Sequence, residues 1–248
     1  MNKREKQKEE TVDDILRISE ELFHEQGYEK TTIQNIADRC GLSKGALYHH
    51  FRSKEEVLKS ICFRHYTCLK ETFLPIVEDP EPSMMEKLRR IMTIARNSQM
   101  NTASASFSKG KSIKSSGIKN AALEKLLDNY SEMIYIEIFA PLLDDGRERG
   151  ECSFPGSAEV MAVFIHHLDT GMSEQLNRIL FDKDHTSSEE KIRDVINGFT
   201  FALTQLLNID EETIADVTLA DKMLEQYLEI LKKVRLRKKR YDKGKNTE

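Results

Sequence analysis

The chain has 248 residues, 32% of them charged and 7% aromatic, with a formal net charge of −4 and a sequence pI near 6.0. That length accommodates one large domain or a small one joined to a larger one, and the absence of any run of about 18 apolar residues excludes a membrane-spanning helix. Few glycines and prolines, and no alternation rich in Val, Thr and Tyr, predict an all-α fold.

Residues 1–10 are charged and lack an apolar centre, so a mobile arm is expected there and not a signal peptide. A first helix is predicted over 12–26, capped by Thr11 or Asp13, with Ile15, Leu16, Ile18, Leu22 and Phe23 on one face. Two short helices and a tight turn follow within 31–54. Thr31 or Thr32 is placed to cap the first, and Ile33, Ile36, Ala37 and Cys40 recur on one face at helical spacing. Gly41 ends it, where a left-handed residue needs no Cβ. Leu42 turns inward and Ser43 caps a second helix over 44–50, whose core side is Leu47 and Phe51. Lys44, Gly45, Tyr48 and His49 occupy its other side.

This is a helix-turn-helix layout over about 32–51; on spacing alone, an ordinary helical bundle with a polar surface fits it as well. In the DNA reading the second helix enters a major groove N-terminal end forward. Gly45 and Ala46 allow close approach. Gln34 and Lys44 are candidates for base edges, since an amide pairs with adenine and an ammonium with guanine. Thr32, Ser43, Tyr48, His49 and Lys54 are candidates for phosphates, Lys54 from a helix start that itself favours an anion. Five basic residues against one acid between positions 30 and 54 make this stretch locally positive within an acidic chain.

The run LFHEQGYEKTTIQNIADRCGLSKGALYHHFRSKEEVL resembles the N-terminal domain of TetR-type (TetR/AcrR) transcriptional regulators. Gly27 and Tyr28 match the glycine and aromatic that close that family's first helix, and Thr32 matches its helix-opening threonine. Tyr48, His49, His50 and Phe51 match its recognition helix, and Lys54 the lysine that starts its fourth. The resemblance implies a DNA-binding domain over 1–68 and a helical regulatory, ligand-binding and dimerisation domain over 69–248. It further implies a cytoplasmic homodimer, a double-stranded DNA operator, most often repression, and release by a small-molecule effector. In some relatives a basic N-terminal arm adds minor-groove contacts, for which Lys3, Arg4, Lys6 and Lys8 would serve here.

A fourth helix is expected from about 53 to 73, with Glu55 and Glu56 suited to its start and Pro75, Pro80 and Pro82 punctuating the chain after it. An amphipathic helix follows over 83–97, then a polar stretch over 98–120 that reads as loops. Residues 118–146 read as one long, central helix, 146–154 as a turn, and 156–181 and 189–208 as two long helices. In the family, two such late helices commonly form the dimer interface. A last helix over 210–239 is expected to fray from Lys232, where nine basic residues face one acid through Lys245. Phe107, Tyr130, Ile134 and Phe164 are the candidate lining of an adaptable ligand pocket.

No nucleophile–base pairing, phosphate-cradling glycine loop or metal-ligand spacing points to an enzyme or a cofactor. His166 and His167 diverge by about 100° on a helix, so they and Asp169 do not make a metal site. The four cysteines, Cys40, Cys62, Cys68 and Cys152, form no CxxC pair. The alternative to a small-molecule sensor is a helical DNA-binding protein governed by a protein partner or by redox state through Cys62 and Cys68.

Overall fold

The computed structural model describes residues 3–100, 121–181, 188–218 and 220–245, and among these every regular element is a helix. The chain divides into two compact units: Met1–Thr72 with Ala95–Ile134, and Phe73–Ile94 with Tyr135–Glu248. No described helix is long and apolar enough to cross a membrane.

In the first unit, α1 (Lys3–Gln26), α2 (Ile33–Cys40) and α3 (Lys44–His50) precede α4 (Lys54–Val77). Helix α1 starts nine residues before the expected 12, because Glu, Lys and Gln are good helix formers and need no core to adopt the conformation. Thr11, expected as a cap, donates instead to the Gln7 carbonyl at 2.8 Å within the helix. Ile15, Leu16, Leu22 and Phe23 of α1 pack with Tyr28, Ile36, Leu47, Phe51, Val57, Leu58 and Ile61. Each such side chain contributes about 1.5–3 kcal/mol by leaving water. Helices α2 and α3 have eight and seven residues, too short to persist alone, so this core holds them. Helix α4 does not stop at Pro75: only the last turn lies beyond it, so one backbone bond is lost and no more.

Helix α5 (Met84–Met100) is capped by Ser83, whose Oγ accepts from the Glu86 N–H at 3.1 Å. The long helix expected over 118–146 is three pieces: α6 (Ala121–Ile134), a π-helical turn (Tyr135–Phe139) and α7 (Ala140–Glu148). Pro141 has no N–H to offer the Glu137 carbonyl and its ring would crowd that oxygen, and the wider turn before it relieves both.

Helices α8 (Ala158–Phe181) and α9 (Ser188–Leu207) match their expected spans closely. The helix expected over 210–239 is two: α10 (Glu211–Thr218), capped by Asp210 onto the Thr213 N–H at 2.8 Å, and α11 (Ala220–Lys245). Helix α11 does not fray at Lys232 but continues to Lys245. Met172, Leu176 and Leu180 of α8, Ile192 and Ile196 of α9, and Met223 and Leu231 of α11 form one core.

A charged clasp lies elsewhere in this second unit. Lys87, 2% exposed, donates to Asp145 Oδ2 at 2.9 Å and to the Val77 carbonyl at 3.2 Å. Arg149 reaches Asp145 Oδ1 at 2.8 Å and the Pro80 carbonyl at 2.8 Å. Burial acts to raise the Asp145 pKa, but hydrogen bonds from Lys87 and Arg149 outweigh it and hold the carboxyl below its ordinary value. Beside the clasp, a Cβ at Gly146 would overlap Met84 Sδ.

Candidate nucleic-acid interface

Both short helices of the first unit carry the caps their sequences call for. Thr32 accepts the Asn35 N–H at 3.1 Å, and Asn35 Oδ1 accepts the Thr32 N–H at 2.9 Å, a reciprocal capping box. Thr31 is the buried one of the pair, its hydroxyl donating to the Gly27 carbonyl at 2.8 Å. Gly41 takes φ +68°, the left-handed stop expected of it, and the Leu42 N–H closes onto the Ala37 carbonyl at 2.9 Å. Ser43 accepts the Ala46 N–H at 3.1 Å.

Leu47 is the one fully buried side chain of α3. Ala46 and His50 are half-buried, while Lys44, Gly45, Tyr48 and His49 are exposed together on the side expected to face outward. The Lys44 ammonium stands 5.9 Å from the Tyr48 ring centroid. A Cβ at Gly45 would meet nothing nearer than Ser43 Oγ at 4.0 Å, so the protein's own packing does not require glycine there. Burial, then the neighbouring His49 and Lys8, push the His50 pKa down.

Other candidates are engaged within the protein. Gln34 Nε2 donates to Asp38 Oδ1 at 2.7 Å, and Arg39 pairs with Glu25. Lys54, expected at a phosphate, donates instead to the Tyr28 carbonyl at 2.8 Å and lies over the Tyr28 ring. Arg52, one of the five basic residues that make this stretch positive, is exposed just after α3. Asn35 was missed. Its signal was present as Thr-x-x-Asn, a variant of the usual box with Glu or Gln in the last place.

The residues expected to line a pocket are divided between the two units, Tyr130 and Ile134 in the first and Phe164 in the second. Phe107 lies outside the described residues. Ile134 is buried, and Tyr130 is half-buried in the first unit, 6.3 Å from Phe63 and 5.9 Å from Tyr66 between ring centroids. Phe164 is 52% exposed on α8. His166 is buried 4.9 Å from the Tyr135 ring, while His167 is exposed. Burial, then Asp169, raises the Tyr135 pKa well above its usual value. Among the described residues no cluster of three His, Cys, Asp or Glu could hold a metal ion.

Three helices locked by two capped turns, with a polar outward face on the third, define a helix-turn-helix protein of the DNA-binding class. Residues 15–61 match the profile of the family described as "Bacterial regulatory proteins, tetR family". Over that stretch the chain carries the DNA-binding domain of TetR-type transcriptional regulators. It is 54% identical over 48 residues to the uncharacterized HTH-type transcriptional regulator YerO of Bacillus subtilis, covering 19% of this chain and 17% of that one. It is 34% identical over 76 residues to the HTH-type transcriptional repressor KstR2 of Mycolicibacterium smegmatis, covering 31% and 37%. These alignments span well under half of either relative. Among solved structures, the SmeT–triclosan complex shares the fold at a TM-score of 0.58 and 20% identity, over 79% of this chain and 90% of that one.

Proposed function

We propose that the protein is a homodimeric repressor that binds a palindromic operator in double-stranded DNA and is released by a small-molecule effector, in the cytoplasm. The observation that carries the DNA contact is Gly45. A glycine inside a helix costs about 1 kcal/mol relative to alanine, and nothing within the protein needs the space it leaves. A partner approaching the α3 backbone does need it. Around it, Lys44 and Gln34 read base edges, Thr32, Ser43, Tyr48 and His49 hold phosphates, and Ala46 keeps the surface low. Lys54 serves through Tyr28 and not by contact.

Dimerisation is supported by Val160 and Phe164 on α8 and Phe201 on α9, which are 51%, 52% and 59% exposed. Exposed apolar side chains of this size on adjacent helices favour a second copy as partner, and a two-fold dimer presents two recognition helices about 34–36 Å apart. An effector is supported by the similarly folded SmeT, which forms a complex with triclosan. Redox control is disfavoured, because burial pushes the Cys62 thiol up to about 12 and an un-ionised thiol is a poor nucleophile.

Selection of bound duplexes from a random pool, followed by footprinting, tests the whole reading. A palindrome with two half-sites protected by a dimer is expected. Recovery of no preferred sequence, or protection by a monomer, overturns it.

A further inference from the structure

A cleft of about 580 Å³ opens in the first unit along the outer stripe of α4, between Leu16 of α1 and Tyr130 of α6. Its floor is aromatic. Phe63, 56% exposed, and Tyr130 both line it, 6.3 Å apart between ring centroids, with the buried Tyr66 ring 6.2 Å from Phe63. Ser60 and Thr67, one turn to either side of Phe63, are small and uncharged. The volume falls in the range of small-molecule sites, roughly 300–1,000 Å³.

The charges along the cleft select among ligands. Arg64 is already paired with Glu20 at 3.6 Å and Asp13 at 3.8 Å, and Glu56 accepts the Arg52 N–H at 2.6 Å. Lys59 and Glu71 have no ion-pair partner among the described residues. They are opposite in sign and about 18 Å apart along the helix, and the charged side chain lining the cleft between them is Arg64, which its two carboxylates already hold.

We infer that this cleft is a binding site for a neutral, flat aromatic molecule of two or three rings, and that filling it changes DNA affinity. The ligand stacks on Phe63, its edge meets Tyr130, and its far side lies on Leu16. Aromatic pairs of this kind gain attraction beyond the area they bury. A molecule seated there touches both α1, which scaffolds the helix-turn-helix, and α4. The regulatory half of the inference rests on the DNA-binding reading above; the binding half does not.

The test uses the full chain and the neutral fluorophore N-phenyl-1-naphthylamine. Titration should show a saturable fluorescence rise at one site per chain. Phe63→Ala removes a ring that is mostly exposed, and Thr67→Trp fills the cleft from its wall. Each should weaken binding at least tenfold with the melting temperature little changed. Saturating probe should shift the affinity of the wild-type protein for its selected duplex and leave Thr67→Trp unaffected. No saturable binding, or equal affinity in all three proteins, overturns the site. Probe binding that falls as the protein associates also overturns it, because a second copy then occupies the cleft. Probe binding that follows the pattern above with no shift in duplex affinity overturns the regulatory half. Failure to select any duplex overturns the DNA-binding reading while the titration still decides the site.

Discussion

The Lys54 ammonium lies 4.1 Å from the centroid of the Tyr28 ring and donates to the carbonyl of the same residue at 2.8 Å. The start of α4 is thereby pinned to the turn after α1, through one cation–π contact and one charge-assisted hydrogen bond. Burial, then Glu55, raises the pKa of the Tyr28 hydroxyl, so the ring stays neutral beneath the cation.

Lys54→Met should therefore lower stability by about 1–2 kcal/mol, read by urea denaturation. The slope of log DNA affinity against log salt should stay the same. A contact to phosphate would instead make the slope shallower by about 0.9.

Gly45→Ala should move stability and DNA affinity in opposite directions. The helix gains about 0.5–1 kcal/mol, since the new methyl meets no atom of the protein closer than 4.0 Å. DNA binding should fall at least tenfold, measured by anisotropy on the selected duplex. A variant both more stable and equally tight would remove the reason given for the glycine.

Tyr48→Phe and Lys44→Ala separate holding from reading. The first should weaken all duplexes about equally. The second should relax preference at one position per half-site by about 1–3 kcal/mol. Profiles from a randomised half-site library decide it, and identical profiles for the two variants would contradict the division of roles.

Asp145→Asn should cost about 3 kcal/mol at neutral pH, because it leaves the buried Lys87 ammonium without its counter-charge. The Asp145 carboxyl is held below its ordinary pKa, so its contribution is full above the unfolded value near 3.9 and is lost as pH falls through the folded value. The stability gap between wild type and variant should be flat from about pH 5 to 8 and close below about pH 4.

Gly146→Ala should destabilise despite the higher helix propensity of alanine, which is worth about 1 kcal/mol. The added methyl would overlap Met84 Sδ, and Met84 is fully buried; overpacking of this kind costs about 1–3 kcal/mol. Met84→Ala removes Sδ and Cε and leaves only Cβ, 3.1 Å from the added methyl, so the double variant should lose less stability than the two single losses summed.

Local signals in the sequence located the head well. Helices α2 and α3 begin and end where Thr32, Gly41 and Ser43 place them, because a cap or a left-handed glycine acts on its own neighbours. The observed caps Ser157 and Asp210 likewise stand at or next to the expected starts at 156 and 210. The errors fell where spacing along one helix says nothing of what packs beside it. The start of α1 at Lys3 and the run of α11 to Lys245 are helices that no apolar stripe announces. The π turn answers Pro141 within a pattern that reads as unbroken. Lys54 and Arg39 looked like free polar groups, and only their tertiary partners, Tyr28 and Glu25, show otherwise.

The recognition helix commits a single side chain, Leu47, fully to the interior. Substitutions at Lys44, Tyr48 and His49 therefore carry almost no folding penalty, and each alters the surface offered to a groove. A lineage carrying this chain could acquire a new target sequence through one or two point mutations while its head keeps the same shape. Duplicated copies would then diverge fastest in α3, on the outward face, with the inward positions lagging behind.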